Sequence, residues 1–354
     1  GANGRQETDS IGKETMSVDE ITASWIRNRS DELAVENGCR FDLERAMHAV
    51  WWIERCCRLY EGASGPMRLV GCHQCGDYGL PDLTSDGTTG AEWDDGTDIV
   101  ESVCREREFK YTECFANGHA VDWQYECVMR LFGWVRHSDK LNRMIRRFRN
   151  ASVWVAKKNK KSPTLAALAL YLLIGDNESG QKVYLAAKDG AQVRRNIALH
   201  VSEMVKASDV LMADCKIDGN TLSVNHLPTK SWIIPLSSSN ARTQKSKEGL
   251  NGSVLIDETH VVDRSFVGRI SRAGISRDEP LHAEFSTAGD DPSSYGKERF
   301  DFACKVISGE VENQGLFAAV YAAPQDTKDE DIEADPMKFA RMANPALGHT
   351  VDFE

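Results

Sequence analysis

The chain has 354 residues, 41% of them hydrophobic and 27% charged, with a formal net charge of -11; that balance excludes a disordered, collagenous or low-complexity protein and is enough for one large α/β domain or two domains. The longest uninterrupted apolar stretch, Leu165 to Ile174, has ten residues, where a helical membrane span needs about 20, and the polar, acidic run Arg5 to Glu20 does not read as a secretory leader. Ten cysteines are too dilute for a disulfide scaffold and fit a reducing cytoplasm, while the acidic sum argues against non-specific coating of nucleic acid and leaves local basic patches open.

Residues 1–61 read as helical. Asp42 is placed to cap a run in which Ala46, Ala49, Val50, Ile53 and Cys57 recur at helical spacing. Residues 62–120 differ: Gly, Asp and Thr cluster from Gly76 to Gly96 without a sustained period, as in an irregular insertion. From Val121 onward short apolar strands alternate with amphipathic helices. Trp123 to Val135 predicts a helix, Ser152 to Ala156 a strand, and Ser162 to Leu173 an Ala/Leu-rich helix. Val183 to Ala187 predicts a strand and is followed by a helix to about Ala207. Leu222 to His226 and Ser231 to Pro235 suit a hairpin. Val254 to Asp257, His282 to Thr287 and Leu316 to Tyr321 predict strands, with helices at Arg264 to Ala273 and Tyr295 to Val306. The acidic run Asp326 to Asp335 reads as a solvated connection. This alternation predicts a mostly parallel sheet covered on both faces, with ligands at the carboxyl ends of its strands.

The loop after the Ser152 strand carries the first chemical signal. A phosphate-binding loop needs a strand, a run of backbone N–H groups, a Lys for the β/γ phosphates and a Ser or Thr for Mg²⁺ at the helix start. In Val155-Ala156-Lys157-Lys158-Asn159-Lys160-Lys161-Ser162, Lys161 and Ser162 occupy those last two places, but Val155 and Lys160 stand where both glycines of the motif belong. A basic loop at a helix start would look the same. The second signal is Val254-Leu255-Ile256-Asp257-Glu258, an apolar strand ending in two carboxylates. The first suits Mg²⁺ and the second an attacking water. The third is Phe285-Ser286-Thr287-Ala288-Gly289, a strand ending in two hydroxyls. The fourth is Trp123-Gln124, whose amide can both donate to and accept from an adenine edge.

Taken in order, VDWQ, VAKKNKKSPTLAALALYLL, VLIDETH and FSTAG resemble the ATPase domain of the large terminase subunit of tailed bacteriophages, over roughly residues 110–350. Glu248-Gly249-Leu250-Asn251-Gly252 and Ala343-Asn344-Pro345-Ala346-Leu347-Gly348 resemble two further segments of that family, the second closing the ATPase domain. The resemblance implies a P-loop NTPase of RecA-like, ASCE type: a helical and irregular N-terminal extension (1–109), an ATPase core (110–325), and a linker (326–354) towards a C-terminal nuclease domain. Because the chain stops at Glu354, the expectation is the ATPase portion of a longer protein. The implied substrate is ATP with Mg²⁺, and the implied activity is ATP hydrolysis that drives double-stranded DNA into a procapsid. The implied partners are DNA, the portal protein, the small terminase subunit and further copies in a ring. The implied location is the cytoplasm of the infected bacterium, with no membrane.

The resemblance also distributes roles. Lys161 neutralises phosphate, with Lys157 at the position where the family usually has an Arg. Lys158, Asn159, Lys160, Lys161 and Ser162 form the nucleotide-facing loop. Ser162 and Asp257 hold Mg²⁺, Glu258 is the general base, Thr287 beside Ser286 couples hydrolysis to motion, and Gln124 contacts adenine. A trans-acting arginine is sought among Arg242, Arg269 and Arg272.

Three further signals stay open. The basic run Lys140 to Lys161 reads either as a DNA-tracking surface or as a solvated helix face joined to the phosphate loop. Cys72-His73-Gln74-Cys75 is a single C-x-x-C without a second pair, so reduced thiols are expected rather than zinc. His260 reads as a polar residue at a helix start that is also placed to join a sensor network. Two alternatives to the motor stand beside it: a nucleotide-binding assembly module with little turnover, and another P-loop translocase or helicase.

Overall fold

The computed structural model describes residues 16–60, 65–67, 69, 122–176, 178–237, 250–289 and 291–347. Over residues 16–60 the expected helices are present, α1 (Val18–Ser24) and α2 (Arg29–Glu36) preceding a short strand β1 (Arg40–Phe41) and the long helix α3 (Leu43–Cys56), while residues 1–15 and nearly all of the stretch 62–120 lie outside the described residues. Asp42 caps α3 by accepting from the Arg45 amide, and Ala46, Ala49, Val50 and Ile53 are buried on one face. Strands β2 (Arg58–Leu59) and β3 (Gly65–Pro66) pair with each other.

The next helix, α4 (Trp123–Gly133), is shorter than its apolar run. Trp134 and Val135 leave it to open β4 (Trp134–Ser138), which pairs with β1 and with β5 (Arg143–Arg146). Gly133 marks the switch: a Cβ there would lie 2.4 Å from the Phe41 ring, so the backbone passes closer to that ring than any other residue permits.

The basic run therefore lies on β5 and on the turns and loops around it rather than on a helix face, and two of its arginines are internal. Arg146 and Arg147 are buried. Arg147 donates to Asp31 Oδ1 at 2.9 Å, and Arg130 of α4 donates to Asp31 Oδ2 at 2.8 Å. Arg146 donates to Asp176 at 2.9 Å. Glu279 accepts from the Arg146 amide and from Arg143, each at 2.7 Å, and pairs with Arg45 as well. Burial alone would raise the Glu279 carboxyl; Arg45 and Arg146 overcome it and hold the group at about 2. Because this lies below the ordinary value of 4.5, the stabilisation is complete above about pH 4.5 and fades as pH falls towards 2. Glu279→Gln is therefore expected to cost on the order of 3 kcal/mol at pH 7, with the difference from wild type shrinking between pH 5 and 2 in denaturant titrations.

The rest of the chain builds the main sheet. Its strands are β6 (Asn150–Trp154), β7 (Lys182–Ala187), β8 (Cys215–Ile217), β9 (Val224–His226), β10 (Ser231–Ser237), β11 (Ser253–Asp257), β12 (His282–Ser286) and β13 (Leu316–Val320). They lie in the order β13-β6-β12-β11-β7-β10-β9-β8. The first six in that order are parallel; β9 returns antiparallel from β10 as the expected hairpin, and β8 extends the antiparallel edge. The predicted strands fall within a residue or two of their expected bounds; β8 is not among those predicted. Gly252, just before β11, touches the next strand so closely that a Cβ would lie 1.8 Å from the Lys182 carbonyl oxygen.

The covering helices are α5 (Lys161–Leu170), α6 (Gly190–Val193), α7 (Leu199–Lys206), α8 (Asp209–Asp214), α9 (Arg264–Ile270) and α10 (Tyr295–Ser308). Helix α5 continues as a π-helical turn, Tyr171–Gly175, and a second π-helical turn, Arg194–Ala198, joins α6 to α7. Leu165 to Leu170 are all buried, so α5 is the central buried helix of the molecule and shares one hydrophobic core with α3, α4, β6 and β7. Beyond β13, the acidic connection is partly helical: α11 (Asp329–Ala334) and α12 (Pro336–Ala343) have no buried residue. Among the described residues, no helix is long and apolar enough to cross a membrane.

Candidate active site

The parallel register brings three strand ends together. Trp154, at the end of β6, pairs with Ser286 of β12, and Phe285 pairs with Asp257 of β11. The lysine-rich loop, the two carboxylates and the two hydroxyls thus share one edge, with β12 between the strand that feeds the loop and the strand that carries the acids.

The loop residues Lys158 and Lys160 have φ of 68 and 56 degrees, the left-handed region that glycine usually supplies. Lys160 stands at a glycine position of the motif, and its exposed side chain leaves the loop instead of crowding it. Lys157 and Lys158 are exposed as well. Helix α5 starts after Lys160 with no side-chain cap. Its first amides are the groups that a phosphate would satisfy.

Lys161 is buried, and its Nζ donates to the carbonyls of Ala156 at 3.1 Å and Val155 at 3.4 Å, with Glu258 Oε1 at 3.9 Å. Burial pushes the ammonium below its ordinary range, while Glu258 and Asp257 pull it back up. Ser162 Oγ donates to Asp257 Oδ2 at 2.9 Å. Asp257 is completely buried, and its Oδ1 has no hydrogen-bond partner among the described residues. Burial pushes its carboxyl up to about 6, with Ser162 the largest opposing influence.

Glu258 sits in a left-handed backbone conformation, φ 56 degrees, directly after β11. Its Oε2 accepts from Thr287 Oγ1 at 3.3 Å and lies 3.1 Å from His260 Nδ1. His260 also contacts Ser286 Oγ at 3.0 Å through Nδ1, and its amide donates to the same oxygen at 3.1 Å. His260, the middle residue of a short 3₁₀ turn (Thr259–Val261) rather than the start of an α-helix, thus touches both Glu258 and Ser286. Helix α10 approaches this turn closely: a Cβ on Gly296 would lie 2.5 Å from His260 Cα.

Gln124 is buried, and its Nε2 donates to Thr164 Oγ1, in the first turn of α5, at 2.5 Å. Asn159 is fully buried, alone among the four residues Lys157 to Lys160. Its side chain bonds to Asn344 and to the loop's own carbonyls, leaving its backbone N–H as the group able to face phosphate. The Asn344 contact lies 185 positions away in sequence, so no local pattern could have signalled it. Arg269 and Arg272 are exposed. Arg242, the C-x-x-C at Cys72 and Cys75, and Cys104 and Cys114 lie outside the described residues; Cys39, Cys56 and Cys57 are buried free thiols.

Over residues 122–304, just over half of the chain, the sequence matches the family Terminase large subunit, ATPase domain. The chain belongs to that family. The matched span begins at Asp122, which caps α4, ends within α10, and contains Gln124, the lysine-rich loop, Asp257, Glu258 and Thr287. Among solved structures, the chain is similar to the large terminase of bacteriophage HK97 at 20% identity and a TM-score of 0.57, covering 88% of this chain and 49% of that one. It thus spans about half the length of the HK97 protein. It is also similar to the large terminase ATPase domain of Thermus phage P74-26 at 14% identity and a TM-score of 0.39, covering 60% of this chain and 93% of that one. No curated protein sequence matches. The HK97 likeness agrees with the observed sheet: the fold is that of a P-loop terminase ATPase, α/β with a mostly parallel sheet flanked by helices.

Proposed function

We propose that the chain hydrolyses ATP at the edge formed by β6, β11 and β12, and that this hydrolysis drives double-stranded DNA into a procapsid. The observation that carries the reading is the Ser162–Asp257 hydrogen bond with the buried, unpartnered Asp257 Oδ1 beside it. A buried carboxylate oxygen without a donor, next to a hydroxyl and an uncapped helix start, is the donor set that a hard divalent cation takes. Ser162 and Asp257 would hold Mg²⁺, which supplies charge neutralisation and orientation of the phosphates when bound.

The chain's own groups supply the rest. The Lys161 ammonium exchanges its loop carbonyls for β/γ phosphate oxygens, and the first amides of α5 point at the same charge. Glu258 orients the attacking water and takes its proton, while Thr287 and His260 hold the carboxylate in place. Gln124 reads the adenine edge if its amide releases Thr164. The exposed Lys157, Lys158 and Lys160, with Lys140, remain for phosphate or DNA; Arg143, paired with Glu279, and Arg146 and Arg147, enclosed by acids, do not. A portal protein, a small terminase subunit and neighbouring copies are the partners that such a motor needs, with Arg269 or Arg272 offered in trans and the host cytoplasm as the setting.

The test is steady-state ATP hydrolysis in Mg²⁺, with and without double-stranded DNA. Lys161→Ala is expected to lower kcat/KM by about 10²–10³-fold. Equal turnover in wild type and variant would overturn the site. Binding without turnover under every condition would favour the assembly module instead.

A further inference from the structure

We infer that Asn159 and the turn Asn344–Ala346 form a clasp that sets the shape of the phosphate-facing loop, making the C-terminal turn part of the nucleotide site without touching nucleotide. The inference rests on the nucleotide reading above and adds positioning residues to it.

Asn159 is fully buried between two exposed lysines. Its Nδ2 donates to Asn344 Oδ1 at 3.0 Å, Ala156 O at 3.2 Å and Lys157 O at 3.3 Å. Its Oδ1 accepts from the Ala346 amide at 3.3 Å. A second strap runs alongside, from the Ala156 amide to the Ala343 carbonyl at 3.2 Å. Asn344 is itself anchored, since its Nδ2 donates to Ala340 O at 3.1 Å and it ends α12 as the C-cap.

The loop needs such a hold. Lys158 and Lys160 both sit in left-handed backbone, which costs energy for a residue with a Cβ and persists only where the surroundings fix it. The clasp grips the residue between them. Released, both lysines can relax to ordinary backbone and carry the amides of 158–161 away from the positions a phosphate requires. In this chain, without glycine at those positions, loop geometry is held by partners rather than by intrinsic backbone freedom.

The test uses Asn159→Ala, Asn344→Ala, the double variant and Asn344→Asp, which keeps an acceptor for Asn159 Nδ2. Affinity for a fluorescent ATP analogue in Mg²⁺, melting temperature, and hydrogen exchange of the peptide spanning 155–161 without nucleotide are read together. Each Ala variant is expected to weaken binding about tenfold, the double no further than the worse single, and Asn344→Asp to recover most of the loss. Loop exchange is expected to rise in Asn344→Ala while the melting temperature stays near wild type. Binding within twofold of wild type in both Ala variants, or losses that multiply in the double, overturns the clasp. Should Asn159→Ala fail to fold, Asn344→Ala, at a half-buried position, carries the comparison. Should wild type bind no analogue, the nucleotide reading falls by itself. Loop exchange then decides the clasp: faster exchange in Asn344→Ala supports it, and unchanged exchange overturns it.

Discussion

Glu258→Gln is expected to lower kcat for ATP hydrolysis by about 10²–10⁴-fold, the usual contribution of a general base, while changing nucleotide affinity only a few-fold. The substitution keeps the size of the side chain and an oxygen for Thr287, and it leaves the left-handed turn at 258 intact. It removes the negative charge and the ability to accept a proton. Glu258 suits this test because its surroundings orient it without enclosing it: Thr287 and His260 hold Oε2, and Lys161 stands 3.9 Å from Oε1. A rapid-quench measurement of phosphate formation at saturating ATP separates the chemical step from binding. Turnover near the wild-type rate would remove Glu258 from the chemistry. Loss of binding together with turnover would make it a structural support of the loop.

Asp31→Ala is expected to destabilise the fold by about 3–5 kcal/mol, because it takes the carboxylate from buried Arg147 and leaves buried Arg130 only the longer pairing with Glu126, at 3.6 Å. Arg130 and Arg147 reach the two oxygens of Asp31 from α4 and from the residue after β5, and all three side chains are buried. Arg147 then keeps hydrogen bonds to Ser30 and the Gln314 carbonyl and its stacking over Trp134 and Phe148, none of which carries a negative charge. Asp31→Asn, which preserves shape and one acceptor, is expected to cost less. Denaturant titrations of the three proteins read the difference directly. A loss below about 1 kcal/mol in Asp31→Ala would mean that water or a neighbouring group compensates the arginines.

The alternation of strands and helices was legible because a sheet covered on both faces makes each strand a short continuous apolar run. Asn150 to Trp154 and Ser253 to Asp257 could be placed within two residues for that reason. The β4–β5 hairpin was not legible. Trp134 and Val135 continue the apolar spacing of α4, and the cause of the break is the Phe41 ring against Gly133, a contact between distant parts of the chain. Nor did the basic run disclose the burial of Arg146 and Arg147, since Asp176 and Asp31, which pair with them, lie outside the run in sequence.

The site divides in the same way. Lys161, Ser162, Asp257 and Glu258 are recognisable from residue types at fixed places after apolar strands, and the parallel register brings them together. The inward turn of Asn159 depends on Asn344, and the contact of His260 with Glu258 depends on how β12 and α10 pack around it. Motif spacing reports the groups proposed to meet nucleotide. It says little about the groups that hold them.

The most direct measurement is calorimetric titration of wild type and Lys161→Ala with a non-hydrolysable ATP analogue in Mg²⁺. The predicted result is one Mg²⁺-dependent site in wild type and loss of most of its affinity in the variant. Equal affinities, or binding indifferent to Mg²⁺, would contradict the assignment of the lysine-rich loop and Asp257 as the nucleotide site.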